Sequence, residues 1–422
     1  MSRPFDHRVL ADVVAEGATG AAFLRELLEQ RGEPVAIDPD EALRFVTRAA
    51  MPETVVFVAV HHGNFPSLEY LAEVLRDRGR PVVAMYLQGD APADRFDEVL
   101  CCRGSLATLA EVLARLPARA IYLQAHGRWA FLSRLIATVH PGLRVVQELW
   151  DWMDAFVPPE RAHAFIDAGV FGEAELATIR EAEQWARTRT AAFVHKHGGA
   201  VLDEVVADAR VPELRIFPCP PRAWMRPPVP RRSGPWRCVH SGQLKPSTSS
   251  RAAFGDLHYL PMIELLTRQS IAVTAYGAAG GSDDEYAHAD IEGFSFHARI
   301  EVRALVDALH GAHDFGLLLY RFDDDLAVGT RHLQTALASK LFVYLAAGLP
   351  VLVSPELEFM AELVRTHGIG LVIEPGELPR LGERLDACDF AGLQAAVARA
   401  QRGFCAEHTC DDVLALLEQV GR

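Results

Sequence analysis

Two series of short apolar runs that alternate with helical patterns constrain most strongly how this chain can fold. The first series opens with the β-branched run Thr54–Val60, and the second opens with Trp236–Ser241. Between them, residues 219–235 contain six prolines, a density incompatible with a helix interior or a central strand. Such β-α-β alternation predicts parallel sheets with helices on both faces. We therefore predict two doubly wound α/β domains that face a ligand cleft at the carboxyl ends of their strands.

Element boundaries within this pattern set the predicted domain limits. Apolar residues at helical spacing over Val9–Gln30 and Asp38–Ala50 predict a helical extension before the first series. A longer helical pattern, Glu173–Ala207, leads to a strand over 214–217 near the end of the first domain. The resulting division is an N-terminal helical extension over residues 1–50, a first domain over 51–222, a proline-rich linker over 223–235, a second domain over 236–400 and a C-terminal helix over 401–422 that could return to the first domain.

Composition and charge argue against several classes of protein. At 422 residues the chain exceeds one ordinary hydrophobic core, which agrees with two domains. The net charge of −14 argues against a nucleic-acid-binding surface. No apolar run reaches the roughly 20 residues of a membrane-spanning helix, and the N-terminus lacks the apolar core of a signal peptide. The seven cysteines lack framework spacing, which is typical of reduced thiols, so we expect a cytoplasmic location.

The segment from Ser339 to Pro350 is the clearest candidate for a ligand site. Ser339 and Lys340 stand at the start of an apolar-periodic helix, and Gly348 and Pro350 end it, because glycine permits a left-handed cap and proline prevents continuation. A helix start that faces the cleft presents unpaired N–H groups; Ser339 could cap it while Lys340 adds a full positive charge. Such a site suits a diphosphate. A capped helix with a solvated lysine is the alternative interpretation.

The same segment resembles a motif of bacterial GT-B glycosyltransferases of the group 1 class. Ser339–Val351 is similar to the family pattern P-S-K-L-F-E-Y-L-A-A-G-x-P-V. Further similarities lie at predicted strand ends: Ala312–Tyr320 resembles A-D-x-G-L-L-P, Val239–Leu244 resembles Y-x-G-x-L, Ala125–Gly127 resembles H-A-H, and Glu148–Asp151 resembles E-x-x-D. The resemblance covers most of the chain from about Thr54 and leaves the N-terminal helices outside it.

This resemblance implies a GT-B fold in which a Rossmann-like acceptor domain precedes a Rossmann-like nucleotide-sugar donor domain. It implies a hexosyltransferase-like enzyme that moves a sugar from a nucleotide diphosphate sugar, used as co-substrate, to an acceptor held by the N-terminal domain. It implies no metal and no further cofactor. The residues carried over to donor binding are Gly242, Lys245, Tyr320, Ser339 and Lys340. Glycine allows close backbone approach to the diphosphate, and lysine neutralises charge on the leaving nucleotide.

Two departures from the family pattern concern the donor. Val343 replaces the glutamate of L-F-E-Y, which binds the donor ribose in the family. The acidic run Asp323–Asp325 could take that role; a metal site there is less favoured, because solvated acidic loops are commoner. The R-x4-K phosphate pair that usually follows the glycine loop is not evident, and Lys245 and Arg251 are only loose substitutes.

Polar residues at three strand ends of the first domain are candidates for acid–base chemistry. His61 and His62 follow the first strand, and His126 and Asp151 each follow a later one. Histidine titrates near neutral pH, and a carboxylate can also deprotonate an acceptor hydroxyl. We select Asp151, His126 and His62 as catalytic candidates. Asp151 is the preferred base for an inverting reaction, whereas a retaining reaction needs no such base.

Several features leave other interpretations open. The loss of glutamate at Val343 also fits a catalytically silent GT-B protein that binds another transferase. A sugar-nucleotide epimerase with two Rossmann-like domains shares the fold. Trp150 and Trp152 could stack on an acceptor ring, although large aromatic residues beside a buried strand more often belong to the core. The sequence does not identify the sugar, the nucleotide, the acceptor, the anomeric outcome or the oligomeric state.

Overall fold

The computed structural model describes residues 21–61, 67–89, 94–278, 284–320, 322 and 326–422 of the chain. These residues form a seven-stranded sheet and a six-stranded sheet. All the strand pairings described in the two sheets are parallel. The predicted fold class, two doubly wound α/β domains, is confirmed.

The first sheet has the strand order β3-β2-β1-β4-β5-β6-β7. Its strands are β1 (Val55–Ala59), β2 (Val82–Tyr86), β3 (Glu98–Cys101), β4 (Ala120–Gln124), β5 (Arg144–Leu149), β6 (Ala192–His195) and β7 (Glu213–Arg215). β1 and β2 are buried along their whole length, as expected for parallel strands covered by helices on both faces. The sequence pattern predicts five of these strands and misses β3 and β6.

Nine helices are described in the first domain: α1 (Ala21–Arg31), α2 (Pro39–Ala49), α3 (Ser67–Asp77), α4 (Leu106–Leu113), α5 (Leu132–Val139), α6 (Met153–Phe156), α7 (Ala162–Asp167), α8 (Glu173–Arg189) and α9 (Leu202–Val205). α2 begins where the Asp38 side chain accepts a hydrogen bond from the Asp40 N–H. Leu27 of α1 and Phe45 of α2 lie in one buried cluster with residues of the sheet. The N-terminal helices therefore pack into the core of the first domain.

The predicted helical tract Glu173–Ala207 is wrong beyond Arg189. Helix α8 ends there, Thr190 adopts an extended conformation, and its hydroxyl donates to the Ala186 carbonyl oxygen. The next residues form β6, which pairs with β5 and β7 and is buried throughout. A short apolar run cannot be assigned to strand or helix from periodicity alone, and the β-branched and aromatic residues at this place fit a buried pleated sheet.

The second sheet has the strand order β10-β9-β8-β11-β12-β13. Its strands are β8 (Arg237–Ser241), β9 (Ala272–Tyr276), β10 (Phe294–His297), β11 (Phe315–Leu318), β12 (Val351–Val353) and β13 (Gly370–Val372). Its described helices are α10 (Arg251–Phe254), α11 (Leu260–Thr267), α12 (Asp284–Ala287), α13 (Val302–Leu309), α14 (Thr330–Thr335), α15 (Lys340–Ala346), α16 (Glu358–His367), α17 (Leu381–Asp386) and α18 (Phe390–Ala400).

The linker and the last helix tie the two domains together. Helix α19 (Ala406–Gly421) packs on the first domain, where Val413 and Leu416 lie in a buried cluster with residues of β1 and β4. In the linker, the Arg226 N–H donates to the Ala346 carbonyl oxygen at 2.7 Å, at the end of α15. Within the described part of the chain, no helix is both long enough and apolar enough to span a membrane.

Several direct contacts between the domains lie on the carboxyl side of the first sheet. His197, which follows β6, hydrogen bonds the Thr335 side chain of α14 at 3.0 Å, and the Gly198 N–H donates to the Thr335 carbonyl oxygen at 3.0 Å. The Gly329 N–H donates to the Phe156 carbonyl oxygen at 3.0 Å. These bonds hold α14 of the second domain against the carboxyl ends of the strands of the first sheet.

Candidate functional site

Three of the predicted donor residues meet where β8 and β11 end. The Lys340 ammonium donates to the Tyr320 hydroxyl at 2.8 Å. Gly242 follows β8 with a φ of 145°, and a β-carbon added to it would lie 2.5 Å from Lys340 Nζ. Only glycine allows both this backbone conformation and this close approach. Gly242, Tyr320 and Lys340 therefore form one cluster, which we call the lysine cluster.

Buried contacts of α15 fix the position of this cluster. The Tyr344 hydroxyl accepts a hydrogen bond from the Ser241 N–H at 2.8 Å, beside Gly242. The Tyr344 ring packs on Gly316 of β11, where an added β-carbon would come within 2.3 Å of it. Because Tyr344 and Lys340 are one turn apart on α15, these contacts set where the lysine enters the cleft.

Ser339 stands next to the lysine cluster, but its expected capping role is wrong. It has a helical backbone conformation, and its side chain makes no capping hydrogen bond to the described residues. The N–H groups of Leu341 and Phe342 already donate to the carbonyl oxygens of Ala338 and Ser339. The first-turn donors are thus largely engaged within the turn, and the positive charge of this helix start comes mainly from Lys340.

Lys245 lies beyond Gly242, in the segment that leads to α10. Its backbone N–H donates to the Leu257 carbonyl oxygen at 3.0 Å, and its own carbonyl oxygen accepts from the Tyr286 hydroxyl at 2.9 Å. These bonds anchor the loop that follows Gly242. They concern the backbone, so a donor-binding role for the Lys245 side chain stays a prediction.

His240 belongs to the same region and was missed by the sequence reasoning. It lies at the end of β8 and is 1% exposed, with its ring centroid 4.1 Å from that of Tyr259. Burial, and then the nearby Lys340 ammonium, lower its pKa well below the usual value, so the ring is neutral at pH 7. The only feature of the sequence that pointed to His240 as a site residue is its position two residues before the predicted Gly242.

The catalytic candidates His126 and Asp151 line one cavity of about 520 Å³ at the carboxyl ends of β1, β4 and β5. His61 lines it as well, whereas His62 lies outside the described residues. Met153 and Phe156 of α6 form part of its apolar wall. We call this space the first-domain cavity.

The electrostatics of the cavity distinguish the two candidates. Burial raises the pKa of the Asp151 carboxyl, but Lys196, His332 and His197 outweigh burial and hold the pKa well below its usual range. The Lys196 ammonium lies 3.2 Å from Asp151 Oδ1. Burial lowers the pKa of His126 to about 4, against the opposing influence of Asp151. At neutral pH the pair is therefore a fixed carboxylate and a neutral imidazole.

A buried polar network supports the floor of this cavity. Glu148 accepts hydrogen bonds from the Ser67 hydroxyl at 2.8 Å and from the Gln124 amide at 2.9 Å. Gln124 also lines the cavity. Glu148, part of the motif that resembles E-x-x-D, is only 2% exposed and thus positions Ser67 and Gln124 through these hydrogen bonds.

Trp150 and Trp152 belong to the core and do not offer a free stacking surface. They are 4% and 1% exposed. The Trp152 ring stacks on His197 with centroids 4.3 Å apart. The interpretation as core residues is confirmed.

The position of the missing family glutamate is apolar. Val343 is buried in the cluster that surrounds α15. The acidic run Asp323–Asp325 lies outside the described residues. Among the residues that the structure does describe, no group of three or more histidines, cysteines, aspartates and glutamates could hold a metal ion.

Comparisons with known proteins agree with this architecture. Residues 253–405 match the family described as glucosyltransferase 3-like, C-terminal domain. The solved structure of HepE from Anabaena, in complex with UDP-glucose, aligns with a TM-score of 0.59 over 86% of this chain and 99% of that chain, at 14% identity. The chain has the GT-B fold.

Two further solved structures give similar agreement. A glycosyltransferase from Rickettsia africae ESF-5 aligns with a TM-score of 0.54, at 10% identity, over 88% of this chain and 99% of that one. A double variant of Os79 from O. sativa, in complex with UDP, has a TM-score of 0.52, 11% identity and coverage of 86% and 100%. No curated protein sequence matches the chain. At these identities the likeness establishes the fold, and the activity has to be argued from the site.

Proposed function

We propose that this protein is a glycosyltransferase that moves a sugar from a nucleotide diphosphate sugar to an acceptor bound in the first-domain cavity. The observation that carries the proposal is the lysine cluster, with the Lys340 ammonium beside the glycine that follows β8. Lys340 lies within the part of the chain that matches the glucosyltransferase 3-like C-terminal domain. The solved structures of HepE with UDP-glucose and of Os79 with UDP support a nucleotide-sugar ligand for this fold.

Lys340 would neutralise the diphosphate as the bond to the sugar breaks. A leaving nucleoside diphosphate gains negative charge in the transition state, and a preorganised cation at that place lowers the barrier. The hydrogen bond to Tyr320 holds the ammonium in position. Gly242 would let the phosphates approach the backbone without a side chain in between.

Glu356 is our candidate for the ribose contact that Val343 cannot make. It follows β12 and lies two residues after Ser354, whose hydroxyl bonds the N–H and the carbonyl oxygen of Tyr320. Its Oε2 atom is buried and has no hydrogen-bond partner among the described residues. A buried acceptor without a partner is costly, and a ribose hydroxyl would satisfy it.

His126 is the better candidate for the base of an inverting reaction, although Asp151 is the choice from sequence. The ion pair with Lys196 stabilises the charged form of Asp151, which makes its carboxylate a weak base. His126 lines the same cavity, and its pKa of about 4, although lowered, stays above that of Asp151, which makes the imidazole the stronger base of the two. We propose that His126 accepts the acceptor proton and that Asp151 stabilises the resulting imidazolium.

Calorimetric titration with UDP-, GDP- and dTDP-sugars tests the proposal. We expect one of these donors to bind, and Lys340→Gln to weaken its binding at least about 10-fold, because a charge-assisted contact is lost. The control is Arg268→Gln, whose exposed guanidinium pairs with Glu264 on its own helix. Absence of binding by every donor would refute the proposal.

Nucleotide release separates transfer from the two alternatives. A transferase releases free nucleotide at a rate that depends on an added acceptor. A silent GT-B binding protein binds donor and releases none, and an epimerase alters the sugar without an acceptor. Assays of nucleotide and sugar in the presence and absence of candidate acceptors therefore discriminate among the three.

A further inference from the structure

A second cavity adjoins the first-domain cavity. It has a volume of about 440 Å³, and Arg31 and Gln88 line both cavities. Arg103 and Glu41 line only the second one. An acceptor that reaches the catalytic candidates in the first cavity can therefore extend into the second one past Arg31.

Two arginines give the second cavity a surplus of positive charge. The guanidinium of Arg31 packs over Gly104, where an added β-carbon would lie 2.6 Å from its Nη1 atom. Neither Arg31 nor Arg103 joins any of the ion pairs formed within the described part of the chain. Glu41 supplies one opposing charge against these two. Arginine stays protonated at all working pH values, so the surplus persists.

The other charges around the two cavities are already compensated. Arg128 lies 2.8 Å from Glu175, and Asp151 pairs with Lys196. The pKa of His61, at the junction, is lowered first by burial and then by the charge of Arg31. A positive region of this kind contrasts with the net charge of −14 for the whole chain.

We infer that the acceptor carries an anionic group, a carboxylate or a phosphate, that Arg31 and Arg103 bind in the second cavity. This inference rests on the proposed function, because it places one end of the acceptor in the second cavity and the other end beside His126. The planar guanidinium presents paired donors that match both carboxylate and phosphate oxygens. Helix α1, which ends at Arg31, thereby contributes a residue to acceptor selection.

Binding of three small sugars in the presence of saturating UDP tests the inference. Glucose 6-phosphate, glucuronate and glucose have a common ring and differ in charge. We expect at least one of the two anions to bind about 10-fold or more tightly than glucose, and added salt to reduce that preference. The order of the two anions tells whether the natural group is a phosphate or a carboxylate.

Variants assign the effect to the second cavity. Arg31→Gln and Arg103→Gln should each reduce the preference for the anion several-fold, Arg31→Lys should retain part of it, and Arg268→Gln should leave it unchanged. Thermal unfolding of each variant checks that the fold is intact. Equal binding of glucose and both anions, or full preference in both glutamine variants, would overturn the inference.

Parallel donor titrations separate this inference from the proposed function. If Arg31→Gln loses the anion preference and still binds the nucleotide sugar, both proposals hold. If the wild-type protein binds no donor, the proposed function fails, and an anion preference that depends on Arg31 would still support the anionic site. If the donor binds and no anion preference exists, only the present inference fails.

Discussion

Replacement of Gly242 by alanine is the sharpest test of the lysine cluster. The new β-carbon would lie 2.5 Å from Lys340 Nζ, so the ammonium must move by about 0.9 Å to reach ordinary contact at 3.4 Å. The end of a flexible side chain can make this movement, and the movement carries the charge away from the place where a diphosphate would sit. The β-carbon itself would also occupy the path of the phosphates.

Two separate costs follow from this substitution. An L-residue with a φ of 145° is strained by about 1–3 kcal/mol, which lowers the free energy of unfolding. Displacement of the ammonium lowers donor affinity by about 10- to 100-fold, which is the loss of one charge-assisted contact. Urea denaturation measures the first cost, and calorimetric titration with the donor measures the second.

Gly234→Ala is the matched control. Gly234 also has a positive φ, 118°, but an added β-carbon there meets nothing within 4 Å. Both variants should therefore lose stability, and only Gly242→Ala should lose donor affinity. If Gly242→Ala binds the donor as tightly as Gly234→Ala does, the argument that Lys340 and Gly242 form a phosphate site is refuted.

Three further predictions concern the donor, the second sheet and pH. Glu356→Gln should weaken binding of UDP by several-fold and that of 2′-deoxy-UDP less, and equal losses would exclude a ribose contact. Asp314→Ala should lower the free energy of unfolding by about 3–5 kcal/mol, because the Arg237 guanidinium, which donates to Asp314 Oδ1 at 2.8 Å, loses its partner. Replacement of the exposed Glu264 by alanine should lower it by at most about 1 kcal/mol. The free energy of unfolding should also fall as pH drops from about 6.5 to about 4, since the unfolded chain takes up protons on three histidines that burial keeps neutral when folded. The pKa of each is lowered to about 4, and they are His126, His195 and His313. Glu183, whose pKa burial raises to about 8, opposes them with a single proton, so denaturation at pH 5 and pH 7 should still show higher stability at pH 7.

The sequence predicts the fold well because the central strands of both sheets are parallel and almost entirely buried. Such strands read as continuous apolar runs, as β1 and β2 do, and the helices between them keep helical spacing. The pattern is weaker where strands are short or partly exposed. β3, with Glu98 at its start and three partly exposed residues, carries no such signal.

The lysine cluster could be predicted in part for a physical reason. Glycine at a positive φ and lysine at a helix start are local features, and Gly242 and Lys340 were both identified from the residues around them. Whether the Ser339 side chain caps the helix depends on whether the first N–H groups of the helix already donate to nearby carbonyl oxygens. The local sequence does not specify this. Glu356 escaped notice because the observation that favours it, a buried oxygen atom without a partner among the described residues, is not a local feature of the sequence.

Our proposed choice of His126 over Asp151 rests on a contact that the sequence pattern does not predict. An aspartate at a strand end is a reasonable base only if no cation holds it in the charged form. The cation here is Lys196, which directly follows β6, the strand hidden in a pattern that predicts helix. In a helix continued from α8, Lys196 would have no defined relation to Asp151. The missed strand is therefore the reason why our proposal exchanges the roles of the two catalytic candidates, because a pKa depends on neighbours that only the sheet order brings together.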